Sequence, residues 1–499
     1  MALSELDTFG DVAAEDDAIL QYFLATEAVG SVTNGDAFLV LGRKGTGKTA
    51  IVRYVTESQG SRRARSLNLR GYPWNVHAAR VDHGATDAEA YVSSWRYLLA
   101  VQLASVALAQ PQAWRTTTAQ ALTSFLTDNY GATTPSLADI LRPARLKLSK
   151  VSFQPAVMGN QLGGVELDRH GKDLTFGLEL SALSNSIIDA AFQCLTECEA
   201  DPISLHFDEL DQGIGTLDQP RRAMIIGLVI AARDLRREGA AKGVKLYPVV
   251  YLRSDLWGDL QFSDKNKITQ TSALQLEWTS ENLLALVNLR LKAKLGDGVD
   301  WDSVAEPDRM RGSQSKWNHV LARTFLRPRD VISFLNVALD TAKKRDPSVR
   351  AFNNADISAA RERYSNYLKS ELDDEIVPHW ATWMEALRAC SAIGTLSFIR
   401  EQFEKEYPGR RSDLNAVGPD EALALLFQFS VVGYRTPRGG GGSSWVFQYS
   451  DPNAGYDSVA QQFKVHPGLK EFAKLREDRN PNIDFSLEEF EFDFGMGDD

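Results

Sequence analysis

The chain has 499 residues, of which 43% are hydrophobic and 24% charged, and a formal net charge of −11. That length fits about two to four domains with ample core, and the composition is that of an ordinary water-soluble protein. Cys194, Cys198 and Cys390 imply no disulfide framework and fit a reducing cytosol, no apolar run reaches the roughly 20 residues of a membrane span, and Met1 to Asp7 lack the basic start of a secretion signal.

Taken in order, Asp11 to Gly30 shows Ile19, Phe23 and Leu24 at helical spacing behind an acidic first turn, which predicts a helix beside the site that follows. Ala37 to Leu41 is an apolar run that reads as a buried strand, and Ala50 to Val55 reads as a helix. Between them stands Gly42-Arg43-Lys44-Gly45-Thr46-Gly47-Lys48-Thr49, a complete Gly-x-x-x-x-Gly-Lys-Thr phosphate-binding loop in the strand–loop–helix context the motif requires. Glycines let the backbone curl so that successive N–H groups face phosphate oxygens, and the positive end of the next helix adds to that field. The expected nucleotide contacts run from Gly42 through Arg43, Lys44, Gly45, Thr46, Gly47, Lys48 and Thr49 to Ala50, with Lys48 on the β- and γ-phosphates and the Thr49 hydroxyl on Mg²⁺.

Ala64 to Leu69 reads as a second strand and Tyr91 to Leu108 as a long amphipathic helix carrying Trp95. From about 110 to 181 the pattern breaks, and Ala144–Phe153 and Gly164–Asp168 suggest short strands, so a β-rich insertion is expected there. Its cationic patch, Arg142, Arg145, Lys147 and Lys150, is a candidate phosphate-backbone contact or simply a solvated face. Asn185 to Glu199 is helical, with Cys194 and Cys198 one turn apart and no second ligand cluster close by, so packing rather than metal binding is their role.

Ile203 to Glu209 is an apolar strand that ends in two acids, the form of a Walker B element. Asp208 would hold Mg²⁺ and Glu209 would orient or deprotonate the attacking water. Asp211 to Gly215 follows as a loop, then Arg221 to Glu238 as a helix whose Arg233, Arg236 and Arg237 are candidates for reaching a neighbouring subunit's nucleotide. Lys245 to Asp255 is a strand with the polar end Arg253-Ser254. Thr279 or Ser280 caps a helix that opens a helical lid, within which Pro328 starts a further helix flanked by Arg327 and Arg329.

Trp380–Ser391, Thr395–Glu406 and Pro419–Phe429 read as three helices, followed by strands Val431–Arg435 and Trp445–Tyr449 around a Gly-rich turn, which matches a winged helix. Its third helix is acidic and apolar, with no Arg, Lys, Asn or Gln over Pro419–Phe427 to read base edges, so nucleic acid is not the favoured partner, although Arg435 and Arg438 on the wing could touch phosphate. Nine acids and one arginine fall between Glu477 and Asp499, which leaves the body close to neutral. Asp484 to Asp499 alternates acids with phenylalanines and is a candidate docking segment, or else a disordered solubilising end.

Together, Gly42–Thr49, Phe207-Asp208-Glu209, Leu252–Asp255 and Arg327-Pro328-Arg329-Asp330 resemble AAA+-type P-loop ATPases of the bacterial STAND and KAP-like branch, over roughly residues 9 to 365. The resemblance implies an α/β P-loop NTPase core of parallel sheet with helices on both faces (1–275, with 110–181 inserted), a helical lid (276–368), a winged-helix-like domain (369–475) and a tail (476–499). It implies that Arg253 or Ser254 senses the γ-phosphate and that Arg327 or Arg329 contacts phosphate from the lid. It implies ATP and Mg²⁺ as ligands and a nucleotide-controlled switch or oligomeric ATPase, often in conflict or anti-phage systems. Because no repeat array or effector domain follows the lid, the expected partners are other copies of the chain and a separate effector or sensor, in the cytoplasm and away from membranes. The alternatives are a DNA-handling origin-recognition-type ATPase and a scaffold that holds nucleotide without turnover.

Overall fold

The computed structural model describes residues 3–60, 62–70, 87–141, 145–147, 156–157, 160–161, 166–168, 175–210, 218–412, 417–437, 443–451 and 453–477. The loop Asp211–Gly215, Arg142 and Lys150, Arg438, the Gly-rich turn and the tail Asp484–Asp499 lie outside these residues, as do the side chains of Arg145 and Lys147. The chain forms two compact units, one of residues 25–43 and 47–277, the other of 1–24, 44–46 and 278–499.

The first is an α/β unit. Helix α1 (Glu27–Thr33) precedes β1 (Leu39–Leu41), which runs into α2 (Lys48–Gln59) and β2 (Ala64–Asn68). Then come α3 (Asp87–Leu108), α4 (Ala119–Tyr130), α5 (Leu137–Leu141), the short strands β3 (Arg145–Lys147), β4 (Ala156–Val157), β5 (Asn160–Gln161) and β6 (Glu166–Asp168), and α6 (Thr175–Glu197). Strand β7 (Ile203–Asp208), α7 (Gln219–Ala241), β8 (Leu246–Leu252), α8 (Ser254–Asp259), α9 (Lys265–Ser272) and β9 (Ala273–Gln275) complete it. Five strands form one parallel sheet in the order β2-β7-β8-β1-β9, with Leu39 opposite Val250 and Phe207 opposite Val250 on the other side. All six residues of β7 are buried, as a strand covered on both faces requires. Asp218 caps α7 by accepting from the Arg221 N–H at 3.0 Å, and Pro220 fits its first turn.

Three expectations change between residues 11 and 181. Residues 11–30 are not one helix. Asp17 is buried and accepts from the Asp11 N–H (3.1 Å) and the Tyr22 hydroxyl, so side-chain bonds to a folded-back chain replace the helical ladder before α1 begins at Glu27. Helix α3 is apolar all round rather than amphipathic: Tyr91, Trp95, Tyr97, Leu98, Leu99, Val101 and Leu103 are all buried where it packs on α6 and α7, and Trp95 donates to the Met224 carbonyl at 2.9 Å. The segment 110–181 is β-rich only in its second half. Leu122, Phe125 and Leu126 stand at helical spacing in α4 and belong to the main core, together with Ile140 and Leu141 of α5. Cys194 is buried with its thiol pushed up to about 11 by burial, which suits packing.

The second unit is helical at first. Its helices are α10 (Ser280–Leu295), α11 (Trp301–Val304), α12 (Lys316–Leu321), α13 (Pro328–Arg345) and α14 (Asn354–Ile376). Thr279 caps α10 through the Asn282 N–H at 3.2 Å. The expected lid boundary at 368 falls inside α14, whose buried Leu368, Leu372 and Ile376 continue one apolar stripe. After it come α15 (Trp383–Ile393), β10 (Ser397–Ile399), α16 (Arg400–Glu406), α17 (Pro419–Gln428), β11 (Val432–Pro437), β12 (Ser443–Val446) and β13 (Gln462–Val465). The four strands pair antiparallel in the order β10-β13-β11-β12. Residues 397–399, expected as helix, are a strand because β13 pairs with them, with Phe398 opposite Phe463. Residues 3–24 lie in this unit: Arg290 donates to the Phe9 carbonyl (2.7 Å) and to Asp17 (2.8 Å), and the Asn336 amide donates to the Gly10 carbonyl (2.9 Å).

Each unit buries a neutral histidine. In the α/β unit His206 lies between the Tyr251 hydroxyl (2.9 Å) and the Ser204 hydroxyl (2.8 Å), and burial pushes its pKa down to about 3. In the helical unit His319 is pushed down to about 3 by burial, reinforced by Arg323, Arg361 and Lys470. The unfolded chain takes up these protons below about pH 6.5 and the folded chain does not. Stability is therefore complete above pH 6.5 and falls as the pH drops from 6.5 towards 3, by up to about 1.4 kcal/mol per unit for each group. Urea midpoints from pH 7.5 to 5 should decline accordingly, with a shallower decline in His206→Asn; a flat wild-type profile contradicts this.

Candidate nucleotide site

In a parallel sheet all strands end on one edge, so β1, β7 and β8 carry their following residues to the same side of the α/β unit. Strand β1 delivers Gly42, whose N–H donates to the Leu252 carbonyl at 3.3 Å. Gly47 sits at φ +98° immediately before α2, so the first N–H groups of that helix follow the loop directly; an L side chain would be strained there. Lys48 folds back over the loop and its ammonium donates to the carbonyls of Gly42 (2.8 Å) and Arg43 (3.1 Å). Thr49 and Ala50 follow in the first turn of α2.

Strand β7 ends in Asp208, which is 4% exposed, and Glu209, also 4% exposed and held at φ +60°. A left-handed backbone is uncommon for a residue with a β-carbon and concentrates at functional positions. The hydroxyl of Tyr251 on β8 is held well above its usual pKa by burial, with the Asp208 charge adding to the effect. Strand β8, between β1 and β7, ends at Arg253 and Ser254. Arg253 donates Nε (3.0 Å) and Nη2 (2.6 Å) to Asp255, and the Ser254 hydroxyl accepts from the Gln275 amide at 2.9 Å. Of the three arginines near the end of α7, Arg233 pairs with Asp264 at 2.5 Å and Arg236 donates to the Gly35 carbonyl, whereas Arg237 is exposed.

The loop residues Lys44, Gly45 and Thr46 belong to the helical unit. The Lys44 ammonium bonds Asp374 (2.7 Å) and lies 3.4 Å from Glu371, both on α14. Arg327 is 1% exposed: Nε and Nη2 form a two-pronged pair with Asp330 (2.9 Å each), while Nη1 donates to Glu375 (2.7 Å) and to the Lys44 carbonyl (2.7 Å). Burial alone would lower its pKa; the carboxylates of Asp330 and Glu375 outweigh burial and raise it well above the ordinary arginine value. Arg329 donates Nη1 to Glu371 and Nε to the Val12 carbonyl, both at 3.2 Å. Gly45 lies at φ +83°, and a β-carbon on it would come within 2.9 Å of Arg329 Cβ.

The sheet thus collects Gly42, Arg43, Gly47, Lys48, Thr49, Asp208, Glu209, Arg253 and Ser254 in one unit, and Lys44, Gly45, Thr46, Arg327 and Arg329 gather in the other. Sequence reasoning missed the carboxylates Glu371, Asp374 and Glu375, and it gave Trp278 no role at the loop. No local pattern marks them, because each acts on a loop hundreds of residues away. The oxygen donors of Thr49 and Asp208 suit Mg²⁺, which keeps several of its own waters and takes few protein ligands. Among the described residues no cluster of three or more His, Cys, Asp or Glu could hold a metal by itself, and no helix is long and apolar enough to cross a membrane.

A family model described as a FunZ-associated C-terminal helical domain matches residues 281–373, the stretch from α10 into α14. No curated protein matches the chain. Among solved structures, the crystal structure of Cdc6p from Pyrobaculum aerophilum is similar at 12% identity and a TM-score of 0.29, with 89% of each chain covered. Backbones at that score do not superpose closely enough to transfer residues or activities.

Proposed function

We propose that the chain binds ATP with Mg²⁺ and hydrolyses it slowly, as an AAA+ or STAND-like switch whose assembly or shape follows the nucleotide. The observation that carries this reading is the strand order. A phosphate-loop strand (β1) and a strand ending in Asp208-Glu209 (β7) flank β8, so the loop, the two acids and the polar end of β8 share one edge of a parallel sheet.

In this reading the N–H groups at the start of α2 and the Lys48 ammonium hold the β- and γ-phosphates, as Lys48 now holds the Gly42 and Arg43 carbonyls. Thr49 and Asp208 would hold Mg²⁺, which supplies charge neutralisation on the phosphate oxygens. Glu209 accepts the proton of the attacking water. Ser254 and Arg253 sense the γ-phosphate from β8, and Arg329, half-buried and held by a single carboxylate contact, is the better lid candidate than Arg327, which has two buried carboxylates of its own.

Helices α15–α17 with the four-stranded sheet support the winged-helix reading of the last domain. Its α17 begins with Asp420 and Glu421 and carries no basic residue, and Arg435 is held by Ser443 (2.7 Å) and Gln462 (2.9 Å), which favours protein over nucleic-acid contacts. Regulation of a separate effector in bacterial anti-phage defence rests on the resemblance alone.

The test is molar mass by light scattering for the full chain with and without Mg²⁺-ATP, beside phosphate release. Slow release and an ATP-dependent mass support the switch. No release and an indifferent mass remove it.

A further inference from the structure

Three consecutive carbonyls of the phosphate loop each accept a hydrogen bond within the helical unit. Arg327 Nη1 donates to the Lys44 carbonyl at 2.7 Å, the Arg329 N–H to the Gly45 carbonyl at 3.4 Å, and Trp278 Nε1 to the Thr46 carbonyl at 2.9 Å. A peptide is planar and trans, so a carbonyl fixed in one direction turns the N–H of the next residue the opposite way. Anchoring the carbonyls of residues 44, 45 and 46 therefore orients the N–H groups of Gly45, Thr46 and Gly47, the donors that a loop of this type offers to phosphate. Two of those three residues, Gly45 and Gly47, have positive φ and few intrinsic restraints, so the anchors replace stiffness the glycines lack.

The side chains point the same way. Lys44 is drawn to Asp374 and Glu371, so its ammonium is committed to α14, and Lys48 stays as the loop's cation for phosphate. Arg327 reaches the Lys44 carbonyl only because Asp330 and Glu375 fix its guanidinium from two other sides. The arrangement is a three-point clamp on the loop's carbonyls, built from residues hundreds of positions away in the chain.

We propose that Trp278 and Arg327 are positioning residues for nucleotide binding, which act through the carbonyls of Thr46 and Lys44 rather than by touching phosphate. This rests on the reading of Gly42–Thr49 as the nucleotide site. Loss of either donor lets the loop sample conformations whose N–H groups diverge, and affinity falls.

The test uses the full chain with Mg²⁺ and a fluorescent N-methylanthraniloyl ATP. Trp278→Phe removes the indole N–H and keeps an aromatic ring; its Kd should rise roughly five- to tenfold, as expected for one well-placed hydrogen bond. Arg327→Lys keeps a cation for Asp330 and Glu375 but has no fork to reach the carbonyl as well, and its Kd should rise at least as much. In turnover, Trp278→Phe should raise KM and leave kcat at saturating ATP unchanged. A Kd equal to wild type in folded Trp278→Phe overturns the proposal, as does a lower kcat with unchanged KM, the sign of lost folded protein. If wild type binds no nucleotide while Lys48→Ala behaves identically, it is the nucleotide reading itself that fails.

Discussion

Glu209→Gln should lower ATP turnover by about 10²–10⁴-fold while Mg²⁺-ATP binding survives, because the change removes the base and keeps the shape. The side chain is 4% exposed at the end of β7, next to Asp208, where water access is restricted and a carboxylate can take a proton from a positioned water. Glutamine has the same length and the same tolerance of the φ of +60° found there, so the variant isolates the charge from the backbone. Glu209→Gly separates the two further: it relieves a left-handed backbone cost of about 1 kcal/mol and still abolishes turnover. Phosphate release and nucleotide titration on the same samples decide the matter. A Glu209→Gln variant that hydrolyses ATP at the wild-type rate would show that another group handles the water.

The second large effect is on stability. Arg327→Met removes the only cation paired with both Asp330, 0% exposed, and Glu375, 4% exposed, among the described residues. Two buried carboxylates then lose the guanidinium they share, and deleting one member of a buried ion group costs about 3–5 kcal/mol. Asp330 also accepts from the Phe325 N–H at 3.0 Å, so the loss spreads to the turn that starts α13. Neutralising the acids at the same time, in Arg327→Met/Asp330→Asn/Glu375→Gln, should recover part of the loss. Urea unfolding read by circular dichroism measures both variants; a single-variant loss below about 1 kcal/mol would mean that the guanidinium is not what stabilises the carboxylates.

Where sequence and structure agree, the signal is local. The run Ala37–Leu41, the glycines and Lys48, and the acids after Ile203–Phe207 lie within a few residues of one another, and a strand–loop–helix can be read from them because its geometry is decided by neighbouring side chains and by glycine φ. The Thr279 cap and the Pro328 start of α13 were legible for the same reason. Misreadings arose where distant partners decide. Residues 397–399 became a strand because β13, more than 60 residues on, pairs with them, and Asp11–Gly30 lost its helix to the buried pair of Asp17 with Arg290. An apolar helix covered on all sides, such as α3, shows no periodic polar face to read.

By itself, then, the sequence determined the strand–loop–helix around Gly42–Thr49, the acidic end of the strand Ile203–Asp208 and the Thr279 cap, since these depend on bonds between near neighbours. Only the tertiary structure decided the sheet order that sets β8 between β1 and β7, the assignment of Lys44, Gly45 and Thr46 to the helical unit, and the burial of Arg327 between two carboxylates. Those features depend on contacts across hundreds of residues, where the free energy comes from burial and charge pairing that no single stretch of chain contains.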